Sequence, residues 1–138
     1  MEVEAKHIAK YKGRSVAWLI KNTQIYFNRF IRQRDGEGGT FDCISCGKNK
    51  PNSDMDAGHF RSTGNYSYLR FDEDNCHGQC QKCNRFLGGE LYDYSVNLVI
   101  KIGQKRFEKL HLARTGSFKW DKIELIGLLI TYQAKAKQ

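Results

Sequence analysis

The sequence predicts a small α+β protein: a core of two strands and a helix, set between an N-terminal and a C-terminal helical segment. Three observations predict it. Two Cys-x-x-Cys pairs, Cys43/Cys46 and Cys80/Cys83, stand 33 residues apart. Residues 40–75, which fill most of that interval, show no helical period. The residues on either side of it do. At 138 residues the chain suits one domain with a modest core. The reading divides it into a basic helical segment (1–35), a cysteine-anchored core (36–90) and a helical segment (91–138) that packs on the core or meets a second copy.

Taking the elements in order, Val16, Leu19, Ile20, Thr23, Tyr26, Phe27, Phe30 and Ile31 recur at helical spacing. They predict helix over 5–35, broken near Gly13 and ended by Asp35-Gly-Glu-Gly-Gly. Phe41 to Cys43 reads as a short strand leading into a knuckle, with Gly47 just past the second cysteine. Met55 to Arg61 and Tyr68 to Phe71 read as the two strands of a wide hairpin around residues 62–67. Cys80 to Cys83 forms a second knuckle, and Asn84 opens a helix or turn. Leu91, Tyr94, Leu98, Ile102, Phe107 and Leu110 give a helical stripe, divided at Gly103. Asp121 to Glu124 has the form of a capping box. The helix it opens, from Lys122 to about Ala136, is apolar on nearly every side and must be buried in this chain or against another.

The net charge is +8, and +6 of it falls in residues 1–34. A basic arm beside a balanced remainder points to a polyanion, most simply a phosphate backbone, or else to a solvated helix face. Arg14, Lys21, Arg29 and Arg32 fall largely away from the apolar stripe. Around the cysteines, Arg61, Arg70, Lys82 and Arg85 are placed to grip phosphates. No apolar run is long enough to span a membrane, and the first residues lack the apolar stretch of a signal peptide. With short-spaced cysteine pairs, this favours a cytoplasmic, reducing setting and metal-bound thiolates over disulfides.

A Cys-x-x-Cys turn delivers two thiolates to one ion, so Cys43, Cys46, Cys80 and Cys83 complete a tetrahedral zinc set. Such an ion has no open position and is structural. Cys76 is left over and reads as a small buried hydrophobe. Catalysis would fall to other groups in this stretch: Asp56, His59, Asn75, His77 and Asn84. Histidine suits a base near neutral pH. A carboxylate with an amide oxygen suits magnesium or a similar hard ion. Asp56 and His59 lie three apart, on opposite faces of a regular strand, so their cooperation requires a bend, for which Gly58 offers a bulge. Asn84 follows the last thiolate directly, and it also reads as a helix cap.

The order of Cys-x-x-Cys, a later acid and histidine, and an asparagine five residues before a second Cys-x-x-Cys resembles the HNH (ββα-metal, treble-clef-like) endonucleases. Asn84 stands where their last histidine is usual. The phage recombination endonuclease VII group is similar. That resemblance implies Asp56 and Asn84 on magnesium or manganese, His59 as base and Asn75 as a brace for the hairpin loop. His77 then touches the scissile phosphate, assists the metal or makes a structural bond.

A wider resemblance is to the lambdoid phage NinG (Rap) recombination nucleases. It is carried by Ala17-Trp-Leu, Phe27-Asn-Arg-Phe-Ile-Arg-Gln-Arg-Asp35, Cys43-Ile-Ser-Cys-Gly and Asp56-Ala-Gly-His-Phe-Arg. Leu69-Arg-Phe-Asp-Glu-Asp-Asn75, His77-Gly-Gln-Cys-Gln-Lys-Cys-Asn84 and the helix from Tyr94 to Gly103 extend it. It implies structure-specific cleavage of branched DNA, such as Holliday junctions and D-loops, by a phage or prophage protein in a bacterial cytoplasm. Two cuts per junction make a homodimer attractive. Cys76 departs from the pattern, where an aliphatic residue is usual. The other expectations are a zinc-stabilised DNA-binding module without cleavage and an HNH nuclease acting on linear duplex.

Overall fold

The computed structural model describes residues 2–136. Two compact units share the chain. One comprises the residues up to Phe30 and those from Phe118 on; the other runs from Ile31 to Ser117. Residues 91–117 thus group with the cysteine-rich stretch, and those from 118 on with the first helices, whereas the sequence reading treated 91–138 as one segment.

The first unit is helical. Helix α1 (Ala5–Tyr11) is followed by a turn through Gly13, and α2 (Val16–Asp35) then starts on Ser15, whose hydroxyl accepts the Trp18 amide at 3.0 Å. This is an ordinary N-cap, satisfying an amide that the first turn leaves without a helical partner. Leu19, Thr23 and Phe27, four residues apart, are fully buried. The last helix, α5 (Lys122–Lys135), is capped by Asp121, which accepts the Glu124 amide at 3.0 Å. Its Leu125, Ile126 and Leu129 are also fully buried, and Tyr132 meets Phe27 edge-on at 4.9 Å between ring centroids. Burial of α5 within this unit satisfies the demand its apolar sequence makes. No helix of the described residues is long and apolar enough to cross a membrane.

The second unit holds two antiparallel hairpins and two helices. Strands β1 (Thr40–Asp42) and β2 (Asn49–Pro51) flank the first knuckle. Gly47 takes a left-handed φ of 73° there, and its amide returns to the Cys43 carbonyl at 2.9 Å. Strand β3 (Met55–His59) pairs with β4 (Cys76–Cys80) from Met55↔Cys80 to His59↔Cys76. Tyr68 to Phe71 is therefore not the partner strand: Ser67–Leu69 is a 3₁₀ turn. Leu69 and Phe71 are both buried, which imitates strand alternation, but they belong to a folded loop. The true partner, Cys-His-Gly-Gln-Cys, is buried at every residue, so it shows no alternation, and its composition is poor in strand formers.

The expected bulge at Gly58 is also absent, since the register runs unbroken past it. The glycine serves close approach instead: a Cβ there would collide with the Gln79 side-chain oxygen. Helices α3 (Leu91–Ile102) and α4 (Gln104–His111) meet at Gly103 and close an apolar core of Ile44, Phe60, Leu69, Tyr94, Leu98, Phe107 and Leu110.

The outer edge of β4 is covered. The Gly78 amide donates to the Asp35 carboxylate at 2.7 Å and its carbonyl accepts the Ile44 amide at 3.0 Å. Arg34 takes the Cys76 carbonyl at 2.8 Å, and the Cys80 amide points at Cys43 Sγ at 3.3 Å. Burial alone would push the Asp35 carboxyl up, but Arg34, Lys101 at 3.0 Å and the Gly78 amide outweigh it and bring it to about 2.

Candidate functional site

The two knuckles converge as their spacing requires. The sulfurs of Cys43, Cys46, Cys80 and Cys83 all lie within 4.8 Å of one another, and Cys46 Sγ to Cys80 Sγ is 4.0 Å. Bonds of about 2.3 Å in a tetrahedron place thiolates roughly 3.8 Å apart, so the set could hold a structural metal such as zinc with little movement. Burial disfavours a thiolate at Cys43, yet the amides of Cys80, Cys46 and Ser45 more than offset it and pull its pKa below the ordinary value. Three of the four cysteines are buried and Cys46 is exposed. Cys76 is outside the cage and fully buried, and burial pushes its thiol well up.

The chain leaves the cage through a single π-helical turn, Lys82–Phe86. Such turns are uncommon and often accompany function. Asn84 lies inside this turn and is not a helix cap. Its side-chain amide donates to Asp56 Oδ2 at 2.9 Å. The Arg85 guanidinium forks onto the same carboxylate, with Nε and Nη2 each at 2.8 Å. Burial would raise the Asp56 pKa, but Arg85 and Asn84 dominate and lower it. The carboxylate is thus paired with a cation and an amide on adjacent residues.

His59 and Asn84 line one cleft of about 300 Å³, together with Arg61, Asn65, Tyr66, Gly88 and Leu91 among others. His59 Nε2 lies 2.9 Å from the Arg70 carbonyl. A carbonyl only accepts, so Nε2 carries the proton in the neutral ring and Nδ1 is the basic nitrogen. Burial lowers the His59 pKa, against the Arg70 carbonyl, which raises it. Burial thus favours the neutral ring, the form a base needs.

Asn75 is fully buried and ties the β3–β4 loop. Its Oδ1 accepts the Arg61 amide at 2.8 Å, and its Nδ2 donates to the carbonyls of Arg61 at 3.0 Å and Leu69 at 3.1 Å. His77 takes the structural alternative. It is 1% exposed, its Nε2 donates to the Asp74 carbonyl at 2.7 Å, and its Nδ1 accepts from Arg34 at 3.0 Å. With both nitrogens engaged it has nothing to offer a phosphate or a metal. Burial first, then the cations Lys101 and Arg34, hold its pKa down at about 4.

Arg61 is also more structural than its position suggested, since its guanidinium donates to the carbonyls of Leu110 at 3.0 Å and His111 at 2.9 Å. Arg70 is half-buried and contributes its carbonyl to His59, while Lys82 and Arg85 are exposed. Arg14, Lys21 and Arg29 are exposed in the helical unit; Arg14 covers the Trp18 ring at 4.5 Å and Arg29 the Tyr26 ring at 5.2 Å. Arg32, in the cage unit, is half-buried. The acidic run is internal too: Asp72 Oδ1 accepts the Asp74 amide at 2.9 Å, and Asp74 pairs with Arg106.

The sequence reading missed the cluster of Arg34, Asp35 and Lys101 behind the hairpin, and Tyr94, whose hydroxyl donates to the Gly58 carbonyl at 2.6 Å. Lys101 lies 66 residues from Asp35, and Tyr94 lies 36 from Gly58, where spacing carries no signal.

Four converging cysteines, paired strands and a helical turn define a small α+β protein built around a cysteine cluster that could hold a structural metal. The family described as Bacteriophage Lambda NinG protein matches residues 1–138, and the chain belongs to it. Protein ninG of Escherichia phage 933W is 37% identical over 121 residues, covering 88% of this chain and 58% of the relative. Protein ninG of Escherichia phage lambda is 36% identical over 121 residues, covering 88% and 57%. Protein ninG of Enterobacteria phage H19B is 40% identical over 94 residues, covering 68% and 45%. The chain thus spans less than three fifths of the length of these relatives. No solved structure matches.

Proposed function

We propose that the cage unit is a metal-dependent DNA endonuclease site of the HNH kind, acting on branched recombination intermediates such as Holliday junctions and D-loops. One observation carries the reading: an oriented His59 and Asn84 line the same cleft, and Asp56, which the unbroken strand sets on the face away from His59 and outside that cleft, is tied to it through the Asn84 amide. His59 accepts the proton of the attacking water at Nδ1. Its Nε2 stays on the Arg70 carbonyl, which holds the ring in one tautomer. The Asp56 carboxylate faces the Asn84 amide nitrogen, and a cation, the Arg85 guanidinium, already rests on that carboxylate. That donor set fits a hard divalent ion once Arg85 gives way and the Asn84 amide turns its oxygen inward. Magnesium or manganese held there would neutralise charge on the leaving oxygen. The displaced Arg85 and the exposed Lys82 then serve the DNA backbone. The cytoplasm of the bacterial host is the setting in which such DNA and reduced cysteines coexist.

The Arg85–Asp56 ion pair favours a second reading, a zinc-stabilised DNA-binding module that does not cut, because the guanidinium takes up the carboxylate oxygens that a divalent ion would need. One experiment separates them. Zinc-loaded protein is given a four-way junction, a D-loop and linear duplex, with and without magnesium. Magnesium-dependent cleavage of the branched substrates, reduced at least about a thousandfold in His59→Ala with zinc retained, supports the nuclease. Binding without cutting under magnesium or manganese supports the module. Equal cutting of linear duplex supports an HNH nuclease without preference for branches.

A further inference from the structure

In the cage unit the aromatic rings of Phe41, Phe60, Phe71, Tyr94 and Phe107 are buried, none more than 8% exposed. Phe86 and Tyr92 are the opposite, at 79% and 80% exposed. Both flank the cleft by chain position. Phe86 closes the helical turn that carries Asn84, and Tyr92 follows Leu91, which lines the cleft beside Gly88 and Gly89. Between them the chain reverses through three successive left-handed residues, Gly88 at φ 63°, Gly89 at 85° and Glu90 at 47°. The reversal is fastened: the Gly89 amide donates to the Cys83 carbonyl at 2.8 Å, and the Gly89 carbonyl accepts from Ser45 and Gln79. Two rings are thus held out into solvent at the two ends of a braced turn, and the exposed Arg85, whose guanidinium also holds Asp56, stands next to Phe86. Lys82, on the same helical turn as Arg85, lines the cavity beside the cage with Lys48, Lys50, Glu90 and Asp93.

We propose that Phe86 and Tyr92 are specificity-determining residues that stack on bases left unstacked at a DNA branch point. Flat apolar faces interleaved with cations are the surface that single-stranded nucleic acid binds, with rings under the bases and cations on the phosphates. Bases within a linear duplex are already stacked on each other, and opening them has to be overcome before a ring can enter. A branch presents them at lower cost. The two rings would therefore add affinity for junctions and leave linear duplex nearly unaffected. This inference rests on the reading that the cleft takes branched DNA.

The test uses the full zinc-loaded chain without added magnesium, a four-way junction with 2-aminopurine at the branch, and a linear duplex with the same label. Wild-type protein should change the fluorescence of the junction label. Phe86→Ala/Tyr92→Ala should lose that change and bind the junction about tenfold or more weakly. Its affinity for linear duplex, zinc content and melting temperature should stay as in wild type. Phe86→Trp/Tyr92→Phe should restore the signal. Junction binding and fluorescence unchanged in the double variant would overturn the inference, and so would an equal loss on linear duplex. If wild type cuts junctions in both cases, the nuclease reading survives. A wild-type protein that binds no junction overturns both.

Discussion

The two units of this chain are stabilised by different physics. In the helical unit the fully buried side chains among the described residues include Leu19, Phe27, Leu125, Ile126 and Leu129, with Thr23 as the polar one. In the cage unit full burial falls also on Asn75, His77 and Gln79, and the sulfurs converge on one point. Apolar burial is non-directional and scales with area, so it tolerates adjustment. Ligation and buried hydrogen bonds are directional, and each partner left alone is penalised. The first unit should weaken by degrees, and the second should fail when one element is withdrawn.

The largest expected effect is metal removal. Structural zinc in small domains binds with about 10–16 kcal/mol of free energy that is also folding free energy. Chelation, or Cys43→Ser, should abolish hydrogen-exchange protection in β3, β4 and α3, while amides of α5 keep theirs. Uniform loss of protection in both units would break the comparison. Next comes Leu125→Ala in the helical unit. A fully buried leucine truncated in a helix core costs about 2–5 kcal/mol. Chemical denaturation followed by exchange should show the loss in α2 and α5, with zinc content of the cage unchanged.

The third effect is on pH. His77 has its pKa lowered from 6.5 to about 4 in the folded protein, because burial and the neighbouring cations disfavour its charged form. The unfolded chain therefore binds the proton first as pH falls. Stability held above about 6.5 is lost progressively down to about 4, by roughly 3 kcal/mol. His59, lowered as well, acts in the same direction. Asp35, lowered from 3.8 to about 2, adds a further loss only below pH 4. Denaturation midpoints measured from pH 7 to 4.5 should fall, and His77→Gln should flatten the slope. The smallest effect is Gly58→Ala. The new methyl forces Gln79 aside from its bonds to Ser45 at 2.8 Å and Gly89 at 2.6 Å. A destabilisation of about 1–3 kcal/mol is expected by urea denaturation, with no change in the helical unit.

The same division decides what could be read from the sequence. The helices were legible because Leu19, Thr23, Phe27 and Ile31, or Leu91 to Ile102, repeat at a period that one segment displays by itself. The cage was legible because Cys-x-x-Cys is a local turn with its chemistry attached. The second hairpin strand was not. Cys76 to Cys80 is buried on both faces, so alternation was never there to find, and Tyr68 to Phe71 imitated it. For the candidate site, the residue types around Asp56, His59 and Asn84 were visible, but their partners were not. That Arg85 would clasp Asp56, that the Arg70 carbonyl would hold His59, and that Arg34 would fill His77 all depend on contacts between distant segments. The unbroken strand at Gly58 makes the same point: glycine signals closeness to something, and only the fold says what.

The covered edge of β4 has one more consequence. A hairpin strand with open backbone groups is a template on which another chain can add itself, whether in a deliberate complex or in a growing aggregate. Along Cys76 to Cys80 those groups already belong to Arg34, Asp35, Ile44 and Cys43. A foreign strand would have to evict a guanidinium, a carboxylate and a thiolate to dock there. Recruitment at this border must therefore proceed through side chains, and Asp35→Ala would be the change that reopens it to fibre-like pairing.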